Sequence, residues 1–277
     1  MAQPFDGSGG QRPLRRLAEE FYGQPERAVP SLCLALGLLS GTLFHSPAVG
    51  VLTWAAASLL WNHWSQRLVI DDLRLGPLAL SCPHQDETGR PQVWLTFDDG
   101  PGPQTQEIVR ILNEAGCKAT FFFIGEQVRG YPNLEHLRLA LAAGGHSVAN
   151  HTMSHPNLLR RTSALIEEEM SQTQKLLERE FGDLCAPLFR PPFGYRNRVV
   201  LERAHSLGLS IIGWSCNSLD FLQGEAERVV SRVEESLQEG TIILFHDGRE
   251  RRERTVAALS PLLSRLRDKG FGTYSPT

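Results

Sequence analysis

What the sequence lacks narrows it first. Its five cysteines, Cys33, Cys82, Cys117, Cys185 and Cys216, are odd in number, widely spaced and without any Cys-x-x-Cys pair. That excludes the disulfide framework on which small secreted domains rely, and free thiols suit a reducing compartment. The formal net charge is only -3, and the basic residues are scattered rather than gathered into a patch, so no nucleic-acid partner is expected. No internal repeat or long low-complexity segment is present, which excludes solenoid architectures. No phosphate-cradling glycine loop with a following Lys occurs either, so phosphoryl transfer is a poor account of the acidic pair described below. What remains, 41% hydrophobic residues in 277, is enough for one large domain with a buried core or two smaller ones.

Residues 1–28 form a polar N-terminal segment, Gly-rich at its start and carrying Arg12, Arg15, Arg16 and Arg27. Residues 29–64 contain almost no charge and are interrupted only by His45-Ser46-Pro47. This stretch is too long for a secretory signal and lacks a small-residue cleavage site before polar sequence. Each arm has about 15–18 residues, against the roughly 20 that a spanning helix needs, so a short, membrane-associated helical hairpin is expected. It would set Arg12 to Arg27 and Arg67 on one side and leave the turn without Lys or Arg, as the positive-inside rule prefers. The remainder of the chain would then lie on the cytoplasmic face; a single tilted span would instead put it outside. Trp54, Trp61 and Trp64 cluster near one end, as an interfacial belt would. Residues 65–91 read as a mixed linker, with Leu73 to Leu80 as a short strand, and residues 92–277 as the catalytic domain. Oligomeric state is not legible.

The second part is organised around Val93-Trp94-Leu95-Thr96-Phe97-Asp98-Asp99-Gly100-Pro101-Gly102-Pro103. A strand-favouring run ends in two adjacent carboxylates, and the Gly-Pro-Gly-Pro that follows can continue neither strand nor helix. Side chains alternate across a strand, so the two acids are expected to point in different directions, one free to bind a metal and the other to handle a proton. Beyond this run, strand-like pieces (Ala119–Ile124, Ser147–Ala149, Leu209–Trp214, Thr241–Phe245) alternate with helix-like ones (Gln104–Ala115, Leu134–Ala143, Ser163–Phe181, Asn197–Ser206, Ala226–Gln238, Thr255–Lys269). That alternation argues for a parallel sheet, open or closed into a barrel, with functional residues at the C-terminal ends of strands.

Other polar groups stand at such ends. His151 and His155, four apart, can converge on one ion; with an aspartate from another strand they make a two-histidine, one-carboxylate set suited to a divalent first-row ion. Arg190 opens the stiff run Arg190-Pro191-Pro192-Phe193-Gly194-Tyr195 and can hold a carboxylate by two parallel hydrogen bonds, although a surface salt bridge would use the same residue. Asp220 is flanked by aromatics in Trp214 to Phe221, which more often belong to a core than to a groove. His246 ends an almost wholly apolar strand, where a lone histidine is usually a satisfied structural one.

Taken together, these five stretches resemble the polysaccharide deacetylases of carbohydrate esterase family 4, which include the nodulation-type chitooligosaccharide deacetylases. The likeness covers about residues 92–272, with all five motifs in order. It implies a distorted (β/α) barrel, often of seven strands, preceded here by the N-terminal membrane-associated helical segment. It implies a metal-dependent hydrolase that removes N-acetyl groups from amino sugars of a polysaccharide, oligosaccharide or glycolipid. Asp99, His151 and His155 would bind the divalent ion, zinc first, with cobalt or manganese also fitting. Asp98 would be the general base, oriented by Arg190; His246 would be the general acid, held by Asp220. The Phe193 backbone N–H would help stabilise the oxyanion, Leu244, Phe221 and Trp214 would shape the acetyl pocket, and Tyr195 could contact a sugar. The chain departs from the family where Phe221 replaces a common tryptophan and Ser215 and Asn217 replace common acids, changes that bear on substrate choice. The same machinery would also serve an amide or formamide hydrolase on a lipid-linked sugar. A catalytically silent glycan-binding module would be expected to carry a broken site, and nothing here is broken.

Overall fold

The computed structural model describes residues 78–276, except 223, 250 and 251. The polar segment 1–28, the apolar segment 29–64 and the linker as far as residue 77 lie outside the described residues. Among those described, no helix is long and apolar enough to cross a membrane, and Cys82, Cys117, Cys185 and Cys216 are free thiols.

The strands are β1 (Leu78–Ala79), β2 (Gln92–Gly100), β3 (Ala119–Phe123), β4 (Ser147–Asn150), β5 (Cys185–Phe189), β6 (Ser210–Ile212), β7 (Cys216–Asn217), β8 (Ile242–His246) and β9 (Gly272–Thr273). The helices are α1 (Thr105–Glu114), α2 (Gly125–Gly130), α3 (Leu134–Ala143), α4 (Ser163–Phe181), α5 (Arg198–Ser206), α6 (Ala226–Glu235) and α7 (Glu253–Asp268). Neighbouring strands pair in parallel in the order β1-β6-β5-β4-β3-β2-β8-β7, with β9 added beside β2. The seven strands β2–β8 thus curl into the distorted (β/α) barrel that the sequence implied. Its seam is irregular: Ser81 bridges Thr241, and only Gly213–Ser215 separate β6 from β7. Strand β5 was not legible as a strand because Pro187 sits in its middle, a residue strands tolerate only at unpaired positions; it is exposed here.

Two apolar layers form because both faces of a parallel sheet are covered. Val93, Leu95 and Phe97 of β2 point outward into a core shared with Phe121, Phe123, Ile243, Phe245 and the apolar stripes of the helices. Phe97 stacks between Phe121 and Phe245 at 5.1 and 5.4 Å. Burying each such side chain contributes roughly 1.5–3 kcal/mol. The intervening residues point into the barrel, where Trp94, Phe122, Ala149, Ala186, Leu188, Ile212 and Ile242 form a second cluster together with Cys82. The floor is closed by the C-terminal residues. Tyr274 meets Trp94 edge-on at 5.2 Å, and the Ser275 hydroxyl lies 2.9 Å from that of Ser147.

Candidate active site

Following the inward register up each strand leads to the site. The sequence of inward positions is Trp94, Thr96, Asp98 on β2; Ser147, Ala149, His151 at β4; Ala186, Leu188, Arg190 at β5; and Ile242, Leu244, His246 on β8. Period-two alternation therefore delivers four polar residues to one mouth. Asp98 and His246 are direct partners in the β2–β8 ladder.

Asp99 falls out of this register, and the chain corrects for it. The β2–β3 pairing shifts between Asp98 and Gly100, and Asp99 takes φ 74°. Such a bulge re-aims a side chain, so both carboxylates converge on the mouth instead of pointing apart as strand alternation alone predicted. His151 Nε2 lies 3.8 Å from Asp98 Oδ2 and 3.5 Å from Asp99 Oδ1. The bulge is locked by close packing: a Cβ on Gly248 would fall 2.0 Å from the Asp99 carbonyl oxygen, and one on Gly100 2.2 Å from Asp247 Oδ2.

His155 arrives on a tight loop after β4. Its Nε2 is 3.1 Å from Asp99 Oδ1, and its ring centroid is 4.9 Å from that of His151. The loop is braced from two sides. The Asn150 side chain accepts from the Thr152 N–H at 3.0 Å, while Glu169 of α4 accepts from the N–H groups of Met153 and Ser154 at 2.8 and 2.9 Å and from the Ser154 hydroxyl at 2.6 Å. Asp99, His151 and His155 are all buried, and their ligand atoms lie within 4.8 Å of one another. Burial by itself would raise the Asp99 pKa, but the two imidazoles outweigh it and hold the carboxyl well below the usual range. Burial lowers the His155 pKa against the pull of Asp99.

A divalent ion fits these residues on the structure's own terms. Asp99 Oδ1 is buried with two imidazole nitrogens 3.1 and 3.5 Å away and no aligned hydrogen bond from either. His151 donates Nδ1–H to the Arg190 carbonyl at 2.7 Å, which leaves Nε2 with its lone pair toward Asp99. Two nitrogens and one oxygen from separate loops suit zinc and its neighbours, with positions left open.

Arg190 is wholly buried and spreads its donors. One N–H group bonds Asp98 Oδ1 at 2.7 Å and Thr96 Oγ1 at 2.8 Å, while the others reach the carbonyls of Ile212 and Gly213. This corrects the expected two-bond clamp: a guanidinium inside a barrel must satisfy backbone carbonyls as well, so Asp98 receives one bond and keeps Oδ2 unengaged by it. The salt bridge does not lie on the surface.

His246 is half-buried at the mouth rather than enclosed in the core. Its Nδ1–H donates to Asp220 Oδ1 at 2.8 Å and its backbone N–H to Asp220 Oδ2 at 2.8 Å; the Thr255 hydroxyl donates to the same Oδ2 at 2.7 Å. Burial pulls the His246 pKa down, but the Asp220 bond and charge, with Asp98 and Asp99 nearby, raise it overall. Burial works to raise the Asp220 pKa, and the same bonds lower it.

Aromatics flank the mouth. Phe193, 52% exposed with φ 60°, stands edge-on to His155 at 4.7 Å and beside Tyr195 at 5.4 Å. Phe221, 45% exposed, stands edge-on to His246 at 5.3 Å. Leu244 is buried on the inward face, two residues below His246. Trp214 packs behind the mouth against Gly194, where a Cβ would meet its ring at 2.7 Å, and 5.7 Å from the Arg190 guanidinium.

Sequence reasoning missed the second tier of residues. Asp247 is wholly buried, its Oδ2 accepting from the Thr105 hydroxyl at 2.6 Å, and burial, reinforced by Asp99 and Asp98, pushes its pKa up to about 8. Arg252 lies 3.7 Å from Asp99 Oδ2, and Arg249 bonds His155. Loop arginines leave no periodic signal, and Asp247 could have been found only from its place directly after His246.

The polysaccharide deacetylase family model matches residues 85–212. The chitooligosaccharide deacetylase of Sinorhizobium fredii is 35% identical over 195 residues, spanning 66% of this chain and 89% of that relative. The peptidoglycan-N-acetylglucosamine deacetylase of Bacillus cereus is 33% identical over 180 residues, 64% of this chain and 82% of that one. Among solved structures, a family 4 carbohydrate esterase from Streptomyces lividans in complex with acetate superposes with a TM-score of 0.61 at 31% identity, covering 67% of this chain and 93% of the other.

Proposed function

The chain belongs to the polysaccharide deacetylases of carbohydrate esterase family 4, and from that premise we propose that it is a metal-dependent hydrolase removing N-acetyl groups from amino sugars of a glycan or glycolipid. Its class is that of a carbohydrate N-deacetylase. The single observation that carries the reading is the meeting of three separate devices at one mouth: the Asp99–His151–His155 set, the Asp98–Arg190 pair and the Asp220–His246 pair.

In this reading Asp99, His151 and His155 hold a divalent ion, zinc first, with cobalt or manganese as alternatives. Bound there, the ion supplies Lewis acidity to the acetamide carbonyl and makes water a better nucleophile. Asp98, anchored through Oδ1, takes the proton of the attacking water on Oδ2, its remaining oxygen. His246, whose Nδ1 is committed to Asp220, gives a proton from Nε2 to the departing amine. The Phe193 N–H, for which no acceptor stands among the described residues, supplies an oxyanion donor; such donors contribute about 2.7–4 kcal/mol in comparable sites. Phe193 and Phe221 offer apolar walls to a sugar ring and Leu244 the floor for the acetyl methyl, with Tyr195 at the edge. The apolar stretch 29–64 supports a membrane-tethered form of this activity, with the catalytic part on the cytoplasmic face.

Purified protein should release acetate from N-acetylglucosamine oligomers, peptidoglycan fragments or lipid-linked sugars, and a chelator should stop it. Release of formate in place of acetate would move the substrate to a formamido sugar. Full activity in Asp98→Asn would overturn the mechanism. Digestion of the catalytic part by protease added outside intact cells would overturn the cytoplasmic placement.

A further inference from the structure

One contact at the metal set runs against the others. Arg249, exposed on the loop after β8, places a guanidinium nitrogen 2.6 Å from His155 Nδ1. A guanidinium can only donate, so Nδ1 of His155 is here the acceptor. A ring that accepts at Nδ1 carries its one proton on Nε2, the nitrogen that faces Asp99 Oδ1 at 3.1 Å. His151 is arranged the opposite way, with Nδ1–H given to a carbonyl and Nε2 left as a lone pair. Metal-bound histidines nearly always use the second pattern. Two rings of one set thus stand in opposite tautomers, and the difference traces to one side chain.

Resting on the metal centre proposed above, we propose that Arg249 sets the metal affinity of this site by competing with the ion for His155. Coordination through Nε2 requires the ring proton to sit on Nδ1, and Nδ1–H and the guanidinium are both donors, so Arg249 must leave. The ring holds one proton before and after; exchange with water moves it from Nε2 to Nδ1 with no net release. Arg249 is suited to such a role. It is solvent-exposed, so leaving costs little burial, and no carboxylate among the described residues pairs with it. Its φ of 64° belongs to a loop conformation that ordinary residues hold only under tertiary constraint.

The test is a zinc titration of the full-length protein against a chelating dye, comparing wild type with Arg249→Gln and Arg249→Ala. Glutamine removes the charge and offers an amide oxygen to Nδ1–H, so it should bind zinc about tenfold tighter than wild type, with alanine in between. Ring nitrogen shifts of His155, assigned with His155→Gln, should show Nε2–H in metal-free wild type and Nδ1–H once zinc is added. Unchanged or weaker zinc binding in Arg249→Gln, or Nδ1–H in the metal-free wild type, overturns the inference. Equal tightening in glutamine and alanine assigns the effect to charge alone and overturns the hydrogen-bond account. Absence of zinc binding in every variant sinks the metal centre itself, and this inference with it.

Discussion

Two sets of side chains meet at the mouth of the barrel, and they are held there by different means. Asp98, His151, Arg190 and His246 stand on the inward register of four strands. Asp99, His155, Phe193 and Arg249 stand on the rim with left-handed backbone, at φ 74°, 55°, 60° and 64°. Of the seven non-glycine residues with positive φ among those described, these four together with Thr152 and Leu219 lie in the β2 bulge or in loops that carry the site, and only Asn133 does not. Each such residue costs of order 1–3 kcal/mol that the surroundings must offset. The difference shows which functions tolerate strain. The proposed proton-transfer pair of Asp98 and His246 is built into the ladder that also makes the core. Two of the three candidate metal ligands and one of the flanking phenylalanines depend instead on loops braced by packing.

The sharpest way to separate the two sets is to remove one carboxylate at a time. Asp98→Asn should cut acetate release by about 10²–10⁴-fold while the zinc content of the purified protein stays at the wild-type level. Asp99→Ala should lose both, as metal analysis of the same samples will show. Next in size, Asp220→Asn should slow turnover by on the order of 10²-fold and shift its pH profile. Asp220 raises the His246 pKa against the effect of burial. Without it, the general acid loses its proton at lower pH, so the alkaline limb of kcat/KM should move down. A limb that stays in place would detach His246 from the acid role.

On the rim, Glu169→Ala removes the acceptor for the Met153 and Ser154 N–H groups and should weaken zinc binding about tenfold without changing the strand register. Equal zinc affinity would mean that the loop holds His155 unaided. The smallest effect on turnover is expected beneath the acids. The Asp247 carboxyl is raised from 3.8 to about 8 in the folded protein, so the native state keeps a proton that the unfolded chain has already released. Stability therefore falls as pH rises across that interval. Asp247→Asn should remove this dependence, and Tm measured across the same range should fall less in the variant than in the wild type.

Most of the fold was legible because it follows from alternation. Helices such as Leu134–Ala143 and Ser163–Phe181 have the boundaries their periodicity predicts, and the parallel sheet follows from strands and helices taking turns, while its closure into a distorted barrel was implied by the resemblance alone. Strand β5 escaped because Pro187 reads as a breaker, and α2 because six residues are too few to show a period. Within the site, the twelve residues singled out by sequence lie at or directly beneath one mouth, but two geometries were misread. Alternation places Asp99 opposite Asp98 unless a bulge intervenes, and the bulge depends on Gly248, a residue nearly 150 positions away in sequence. The Arg190 clamp was misread because the carbonyls of Ile212 and Gly213, which claim its other donors, lie at and just after the end of β6, whose position only the folded sheet reveals.

The floor made by Tyr274 and Ser275 has a consequence for traffic. With the lower end of the barrel stopped by Trp94 and its partners and its interior filled by the inward cluster, the described residues leave the barrel open to the site only at its mouth. A glycan cannot be threaded through it and must lie across the lip, offering an acetamido group sideways, so no free chain end is needed for engagement. Water entering and acetate leaving share that same opening, and each turnover has to clear the lip before the next can begin.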